Sequence, residues 1–107
     1  MFYTYRQNNS GGSFIVNEDV DVYVIVEADS PEQADVIAES KGIYFNGCDL
    51  GWDCDCCGDR WYRAYGWDAA EQPEIYGEIV EDQAFQSGLG KAGVIIYYKS
   101  GEVKRNR

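Results

Sequence analysis

Histidine is absent from the 107-residue sequence. Its absence removes the side chain that most often acts as a general acid or base near neutral pH and most often binds metal ions. An enzyme with this sequence would depend on carboxylates, tyrosine, lysine or cysteine. With nineteen Asp and Glu side chains, some carboxylates lie close together by chance, so such pairs are weak support for an active site. We therefore expect a protein that is not an enzyme.

Long apolar stretches are absent as well. None approaches the roughly 20 residues that cross a bilayer as a helix, and the amino terminus lacks a basic patch followed by an apolar segment. A chain of this length buries about two thirds of its surface on folding, which is enough for a core without disulfides. The expectation is a single cytosolic domain spanning residues 1–107, without membrane contact.

Basic residues are scarce. Nine Lys and Arg stand against nineteen acids, and the formal net charge is −10. Residues 18–82 hold eighteen of those acids and only Lys41, Arg60 and Arg63 as cations. Such a field repels nucleic acid and attracts basic protein surfaces, so direct nucleic-acid binding is disfavoured. The alternative is that the charge only keeps the protein soluble. The oligomeric state stays open, and a homo-oligomer is compatible with the sequence.

Apolar patterns predict a mixed, mostly antiparallel sheet of about six strands. The alternating segment Phe2–Arg6 and the apolar residues 13–16 predict a β-hairpin around a turn rich in Asn, Ser and Gly. Residues 20–28 carry apolar side chains on both faces, which is typical of a central strand. Further strands are expected at 43–45, 61–65, 74–80 and 94–98, the last returning through 102–104 as a closing hairpin.

One helix is predicted over residues 31–41. Ser30 is a suitable N-cap, Pro31 suits the first helical position, Gln33 can complete a capping box, and Gly42 is a C-terminal stop. The apolar residues between them recur at helical spacing. The predicted fold class is therefore α+β, with the helix packed on one face of the sheet and a Cys-rich loop.

All four cysteines lie within the segment GCDLGWDCDCCGDR, residues 47–60. Cys54 and Cys57 form a CxxC followed by Gly58, an arrangement in which two thiolates of a tight turn share one metal ion. A structural zinc site needs four ligands. Because a second CxxC and a histidine pair are both absent, Cys48 and Cys56 or a nearby aspartate would complete the site. Structural zinc on these four cysteines is one hypothesis.

Three other states of the cysteines remain open. Disulfides are disfavoured by a cytosolic setting, and a bond between the neighbours Cys56 and Cys57 would be strained. A redox role for the CxxC is disfavoured by the surrounding aspartates. Reduced thiols without a ligand are the remaining alternative. A calcium loop is excluded because Ala64 stands where a bidentate Glu is required.

Aromatic residues crowd around the cysteines. They are Tyr44, Phe45, Trp52, Trp61, Tyr62, Tyr65 and Trp67, with Arg60 and Arg63 among them. Aromatic rings beside arginines can stack a nucleobase and bind its phosphates, or can form the centre of a protein interface. The alternative is that the rings fill the core. We predict a ligand- or partner-binding site that consists of Tyr44, Trp52, Arg60, Trp61, Tyr62 and Arg63.

The run YFNGCDLGWDCDCCGDRW, with the strand–helix unit before it, resembles small uncharacterised proteins of tailed bacteriophages that carry a Cys-rich segment of the form GCDxxxDCxCCGDRW. The similarity is clearest over residues 22–65. The resemblance implies an accessory phage protein that acts in the cytoplasm of the bacterial host cell, where small acidic proteins often counter host enzymes or defence systems. It assigns no site residues.

Charge, aromatic residues and resemblance together lead to two functional hypotheses. The first is a non-enzymatic binding protein that inhibits or redirects a host protein through an acidic, aromatic surface, with DNA mimicry as a specific version. The second is a small-ligand sponge that sequesters a nucleotide signal of bacterial immunity. In the second hypothesis the aromatic rings and Arg60 or Arg63 form a pocket within an oligomer.

Overall fold

The computed structural model describes residues 1–8, 14–53, 57–75, 78–79 and 93–106. This part of the chain forms strands and one α-helix, so the expected α+β class is confirmed. The elements are β1 Phe2–Arg6, β2 Tyr23–Glu27, α1 Pro31–Ser40, β3 Glu74–Ile75, β4 Glu78–Ile79, β5 Val94–Tyr97 and β6 Val103–Asn106.

Within the described residues, the main sheet contains four strands in the order β1-β2-β5-β6. β1 runs antiparallel to β2, β2 runs parallel to β5, and β5 runs antiparallel to β6. The sheet is therefore mixed and mostly antiparallel, as expected. The expectation of about six strands in this sheet is wrong, because β3 and β4 pair with each other in a separate two-stranded sheet.

The predicted hairpin partner of β1 is also wrong. β1 pairs with β2, and Phe2 lies opposite Glu27. Residues 14–16 are exposed and form no strand. Their backbone is bound by a side chain, since Gln7 Oε1 accepts from Ile15 N at 2.6 Å and Gln7 Nε2 donates to Ile15 O at 2.9 Å. β2 is the better partner because its apolar side chains on both faces suit the centre of a sheet.

Both faces of the main sheet are covered. On one face, Val24 packs with Ala34 and Ala38 of α1 in the larger core cluster. On the other face, Ile25 packs with Ile75 of β3 in a smaller cluster. Successive side chains of a strand point to opposite faces, which explains why neighbouring residues of β2 enter different clusters. The sheet is the layer that both clusters share.

The helix forms where the sequence predicts it. Ser30 Oγ accepts from Gln33 N at 3.0 Å, which satisfies one of the unpaired amides at the helix start. Gln33 Oε1 reaches one residue further back and accepts from Asp29 N at 2.7 Å. Gly42, just beyond the helix, has a φ of +100°, a conformation that L side chains rarely adopt.

Two short segments predicted as strands, 43–45 and 61–65, are not strands. The first follows the last turn of the helix directly, and Ile43 N still donates to a carbonyl of that turn, Ala38 O, at 3.2 Å. In the second, Ala64 N donates to the carboxylate of Asp35 on α1 at 2.9 Å. These amides are bound by α1, so no neighbouring strand is needed to satisfy them.

Among the described residues, no helix is long and apolar enough to cross a membrane.

Candidate functional site

Arg60 joins the loop after α1 to the end of β1. Its buried guanidinium donates from Nη1 to Gln7 Oε1 at 2.9 Å and from Nε to the hydroxyl of Tyr44 at 3.1 Å. Beside it, Asn8 donates its backbone N–H to Arg60 O at 2.9 Å. A buried guanidinium is stable only where acceptors surround it. These contacts therefore hold the loop against β1.

Asp53 supplies the negative charge beside Arg60. Its buried carboxylate accepts from Tyr44 OH at 2.7 Å and from Arg60 N at 2.8 Å, and Oδ1 lies 3.8 Å from Arg60 Nε. Burial, and next the hydrogen bond to Asp53, raise the pKa of Tyr44. Gly47 permits this packing, since a Cβ there would lie 1.8 Å from Asp53 Oδ2. Two predicted site residues, Tyr44 and Arg60, thus belong to an internal polar network.

The other aromatic residues of the predicted site differ in solvent exposure. Trp61 is 1% exposed and packs in the core cluster on the helix side. Trp52 is 65% exposed and meets Tyr44 edge-on, with ring centroids 5.2 Å apart. Tyr62 is 58% exposed. The six predicted site residues therefore do not form one surface, and the structure places Trp52 and Tyr62 where a partner can reach them.

Arg63 is half exposed and lies over another aromatic ring. Its guanidinium carbon is 4.6 Å from the ring centroid of Phe45, and Nη1 is 3.9 Å from Asp35 Oδ2. The stem of the side chain is thus fixed against the fold while half of it remains in solvent. Arg63 can present positive charge in a defined direction without a large loss of side-chain entropy.

Only part of the predicted Cys-rich loop is described, since Cys54 and Cys56 lie outside the described residues. Cys48 N donates to Asp59 Oδ1 at 2.9 Å, and Asn8 Nδ2 donates to Cys57 O at 2.6 Å. Within the described ranges, no three Cys, Asp or Glu side chains are grouped so that they could hold a metal ion. Because two of the four proposed ligands are outside those ranges, structural zinc stays a prediction.

Three exposed aromatic residues lie together beside the outer edge of β1. Tyr62, Tyr65 and Trp67 line one cavity with the strand, and we call them the exposed aromatic surface. The rings of Tyr65 and Trp67 are stacked, with centroids 4.6 Å apart and planes inclined by 6°. Trp67 is 80% exposed, the largest exposed fraction among the large apolar side chains of the described chain.

A short 3₁₀ turn, Gly66–Asp68, positions the stacked pair. Asp68 N donates to Tyr65 O at 2.9 Å, and the side chain of Asp68 accepts from Tyr65 N at the same distance. These reciprocal bonds between Tyr65 and Asp68 close the turn that contains Trp67. The chain then returns to β1, where Phe2 and Ala70 exchange backbone hydrogen bonds of 2.7 and 2.9 Å.

Two adjoining cavities run along β1 beneath this turn. One has a volume of about 290 Å³ and the other about 230 Å³, and they share four lining residues, Thr4, Arg6, Trp67 and Asp68. We call the pair the β1 groove. Arg63 lines only the first cavity and Glu74 only the second. The groove is therefore lined by charges of both signs, and it is open to solvent along the aromatic rings.

Tyr65 and Trp67 belong to the aromatic residues around the cysteines but lie outside the site predicted from the sequence. Their spacing carried a usable indication, since two aromatic residues flank a glycine and an aspartate follows the first by three positions. That pattern is typical of a capped turn, which holds rings at the surface rather than in a strand. Of the predicted set, Tyr62 and Arg63 line the β1 groove.

The model of a family described as "Domain of unknown function (DUF7296)" matches residues 1–106. No curated protein and no solved structure matches the chain.

Proposed function

The chain belongs to the DUF7296 family, and from the geometry of the β1 groove we propose that it is a non-enzymatic binding protein that contacts a protein partner. The observation that carries this proposal is the exposed aromatic surface of Tyr62, Tyr65 and Trp67. Tyr and Trp are enriched among the residues that dominate interface energies. Each ring buries a large area at a small cost in conformational entropy.

The rigid support of these rings favours a role in binding, because exposed rings without such a role need not be held in place. Tyr65 and Trp67 are held by the turn and by each other, so little side-chain conformational entropy is lost when a partner covers them. A turn that only connected two strands would not need two stacked rings in solvent. Contiguous apolar groups with a polar rim mark interaction sites on many soluble proteins.

The charge of the chain indicates the nature of the partner. At a net charge of −10 the protein attracts basic surfaces and repels acidic ones before contact. The resemblance to small phage proteins supports a partner in the cytoplasm of a bacterial host. We propose that binding inhibits or redirects that host protein, with defence proteins as one class of target. The absence of histidine supports a role without catalysis.

Capture from bacterial lysate tests this proposal with a matched pair of variants. Trp67→Ala removes a ring of the exposed aromatic surface, and Trp52→Ala removes an equally large exposed ring that does not line the β1 groove. We expect Trp67→Ala to weaken binding of the purified partner at least tenfold, as for a central interface residue. Trp52→Ala should stay within about twofold of the unchanged protein.

Calorimetric titration of the purified partner supplies these dissociation constants. Equal affinities for the two variants would contradict the proposed surface. A loss with Trp52→Ala alone would assign contact to the Trp52 end of the loop instead. Both proteins should first be shown to unfold at the same temperature as the unchanged chain, so that a change in affinity is not a change in folding.

A second candidate function follows from the two arginines of the groove. Arg6 and Arg63 line the same cavity as Trp67, and a nucleobase stacked on that ring would bring its phosphates near both guanidinium groups. This is the nucleotide sponge. Thermal unfolding against a panel of mono-, di- and cyclic nucleotides tests it, and a panel without any stabilising nucleotide would refute it.

A further inference from the structure

β1 is an edge strand, and other described segments pair with its outer backbone edge at Phe2 and at Asn8. At one end Phe2 pairs with Ala70, and at the other Asn8 N donates to Arg60 O at 2.9 Å. In between, Gln7 N donates to Val22 O of the neighbouring chain segment at 2.8 Å, towards the inside of the sheet. Phe2 and Asn8 therefore direct their backbone groups outward, and Gln7 directs its amide inward.

Thr4 has the same orientation as Phe2 and Asn8. Backbone groups of successive strand residues alternate in direction, so every second residue of an edge strand faces away from its partner strand. The N–H and C=O of Thr4 thus point into the β1 groove, and no backbone group of the described chain pairs with them. Its hydroxyl is used differently, because Thr4 Oγ1 donates to Glu74 O at 2.8 Å and fixes the far wall of the groove.

The opening between the two covered ends suits a short extended segment. Phe2 to Asn8 spans roughly 20 Å at the rise of a β-strand, and the pairs at each end occupy part of that length. About three or four residues of another chain can lie alongside Thr4. Such a segment would pass under the exposed aromatic surface, where a side chain can pack on Trp67.

We propose that the β1 groove binds a short extended segment of the partner that carries a lysine or arginine and adds to β1 at Thr4. This inference rests on the proposed function and specifies its partner. The segment exchanges backbone hydrogen bonds with Thr4, packs an apolar side chain on Trp67, and places its cation near Asp68 and Glu74. Both acidic residues line the cavity at the Ala70 end of the groove.

Charge complementarity selects the basic segment. Asp68 and Glu74 outnumber Arg6 among the charged residues that line the cavity at the Ala70 end, and the chain as a whole is strongly acidic, so a cation is attracted both at contact and at long range. Addition of a strand to an exposed sheet edge derives its affinity from main-chain hydrogen bonds and its specificity from side-chain pockets. The groove offers both of these near Thr4.

Synthetic peptides of defined composition test strand addition directly. The probe is acetyl-Val-Lys-Val-amide, whose three residues fit the opening, and it is observed through the Thr4 amide resonance of the isotope-labelled full chain. Two alternating N-methylated forms of the probe keep the charge, and each blocks one of the two peptide edges. We expect one form to bind like the parent probe and the other at least tenfold more weakly, because strand addition uses one edge.

Two outcomes with these peptides would overturn the inference. Equal binding of both N-methylated forms would show that charge or a polyproline-like mode holds the peptide without a ladder. Equal binding of a probe with glutamate in place of lysine would show that the groove does not select a cation.

A pair of variants tests the same contact from the protein side. Thr4→Pro removes the outward N–H at a position where an edge strand tolerates proline. Thr4→Val keeps that N–H and, like proline, lacks the hydroxyl that binds Glu74. We expect the probe to bind Thr4→Pro at least fivefold more weakly than Thr4→Val. Should Thr4→Pro fail to fold, the N-methylated probes on the unchanged protein decide the question alone.

Failure of this inference can be told apart from failure of the proposed function. A partner whose binding depends on Trp67 but is equal for Thr4→Pro and Thr4→Val would refute strand addition and leave the proposed function standing. A partner whose binding is independent of Trp67 would refute the proposed contact surface and, with it, the identification of the bound segment as the partner's.

Discussion

Single buried polar residues define much of this small structure. Asp21, Asp35 and Asp53 are buried although the chain is strongly acidic, and each accepts hydrogen bonds from backbone or side-chain donors. Among the described residues, no buried side-chain nitrogen or oxygen lacks a hydrogen-bond partner. A buried carboxylate without such donors would cost several kcal/mol. These residues therefore fix which loop segments lie against the sheet and the helix.

Tyr5 and Asp35 allow a prediction about alkaline pH. Tyr5 OH donates to Asp35 Oδ1 at 2.7 Å between β1 and α1. Burial, and next the hydrogen bond to Asp35, raise the pKa of Tyr5 well above its usual range. The unfolded chain loses the Tyr5 proton near pH 10 while the folded chain keeps it. The contribution of neutral Tyr5 is therefore fully present below about pH 10 and declines as the pH rises above it.

Tyr5→Phe tests the contributions of the Tyr5 hydroxyl and of its raised pKa to stability. Near pH 7.5 we expect the variant to be less stable by about 1–2 kcal/mol, because Asp35 loses a buried donor. Between about pH 10 and pH 11 the unchanged protein should lose stability more steeply than Tyr5→Phe, so the difference narrows. Urea unfolding at both pH values measures it. Tyr62→Phe, which removes an exposed hydroxyl, is the control, and parallel pH curves for Tyr5→Phe and the unchanged protein would contradict the prediction.

At the scale of elements, the start of α1 depends on one side chain. Ser30→Ala removes the acceptor for Gln33 N and should destabilise the protein by about 1 kcal/mol. Ser40→Ala makes the same chemical change in the last helical turn, where Ser40 Oγ donates to Ile37 O, and should change stability by less than about 0.5 kcal/mol. Thermal unfolding of both variants measures the contrast. Equal losses would show that the cap does not stabilise the helix start.

The elements predicted correctly from the sequence are those whose determining residues lie within their own segment. α1 has its cap, proline and terminal glycine within its own segment, and β2 has an apolar pattern that only a central strand needs. The partner of β1 has no local determinant. The residues that follow Arg6 have a composition suitable for a hairpin turn. The pairing of β1 with β2 depends instead on the burial of both faces of β2, which the composition near the turn does not reveal. A strand is predicted over 74–80, but the pairing of β3 with β4 in a separate sheet has no local determinant either.

The sequence predicts that the candidate site contains aromatic and arginine side chains, but it does not predict which of these residues are exposed. The aromatic and arginine residues around the cysteines suggested a surface, and Tyr62 and Arg63 do line the β1 groove. Trp61 and Arg60, their immediate neighbours, are buried. A sequence pattern cannot distinguish these neighbours, because the segment 60–65 is not a strand or a helix and has no period that assigns alternate residues to the surface.

The net charge of the whole molecule should control the rate constant for association with the partner. Electrostatic steering acts on association, and salt screens it. Between about 50 and 300 mM NaCl we expect the association rate constant to fall roughly tenfold, with a much smaller change in dissociation. Surface plasmon resonance with the captured partner measures both rates. A salt-independent association rate would contradict a basic partner surface.

A double variant controls this experiment. Glu32→Gln with Glu39→Gln removes two exposed charges of α1 without changing any residue that lines the β1 groove. It should lower the association rate at low salt and leave the dissociation rate unchanged, because steering depends on total charge rather than on contact.

The parallel pairing of β2 with β5 has a consequence for the order in which the molecule can form. Tyr23 lies opposite Val94, so the centre of the sheet joins distant parts of the chain, and the Asp21–Arg105 ion pair joins residues 84 positions apart. On the ribosome, β1, β2 and α1 emerge early but have no third strand to complete their layer. The native sheet closes only after β5 has emerged, so the nascent chain exposes the unpaired backbone edge of β2 throughout most of its synthesis.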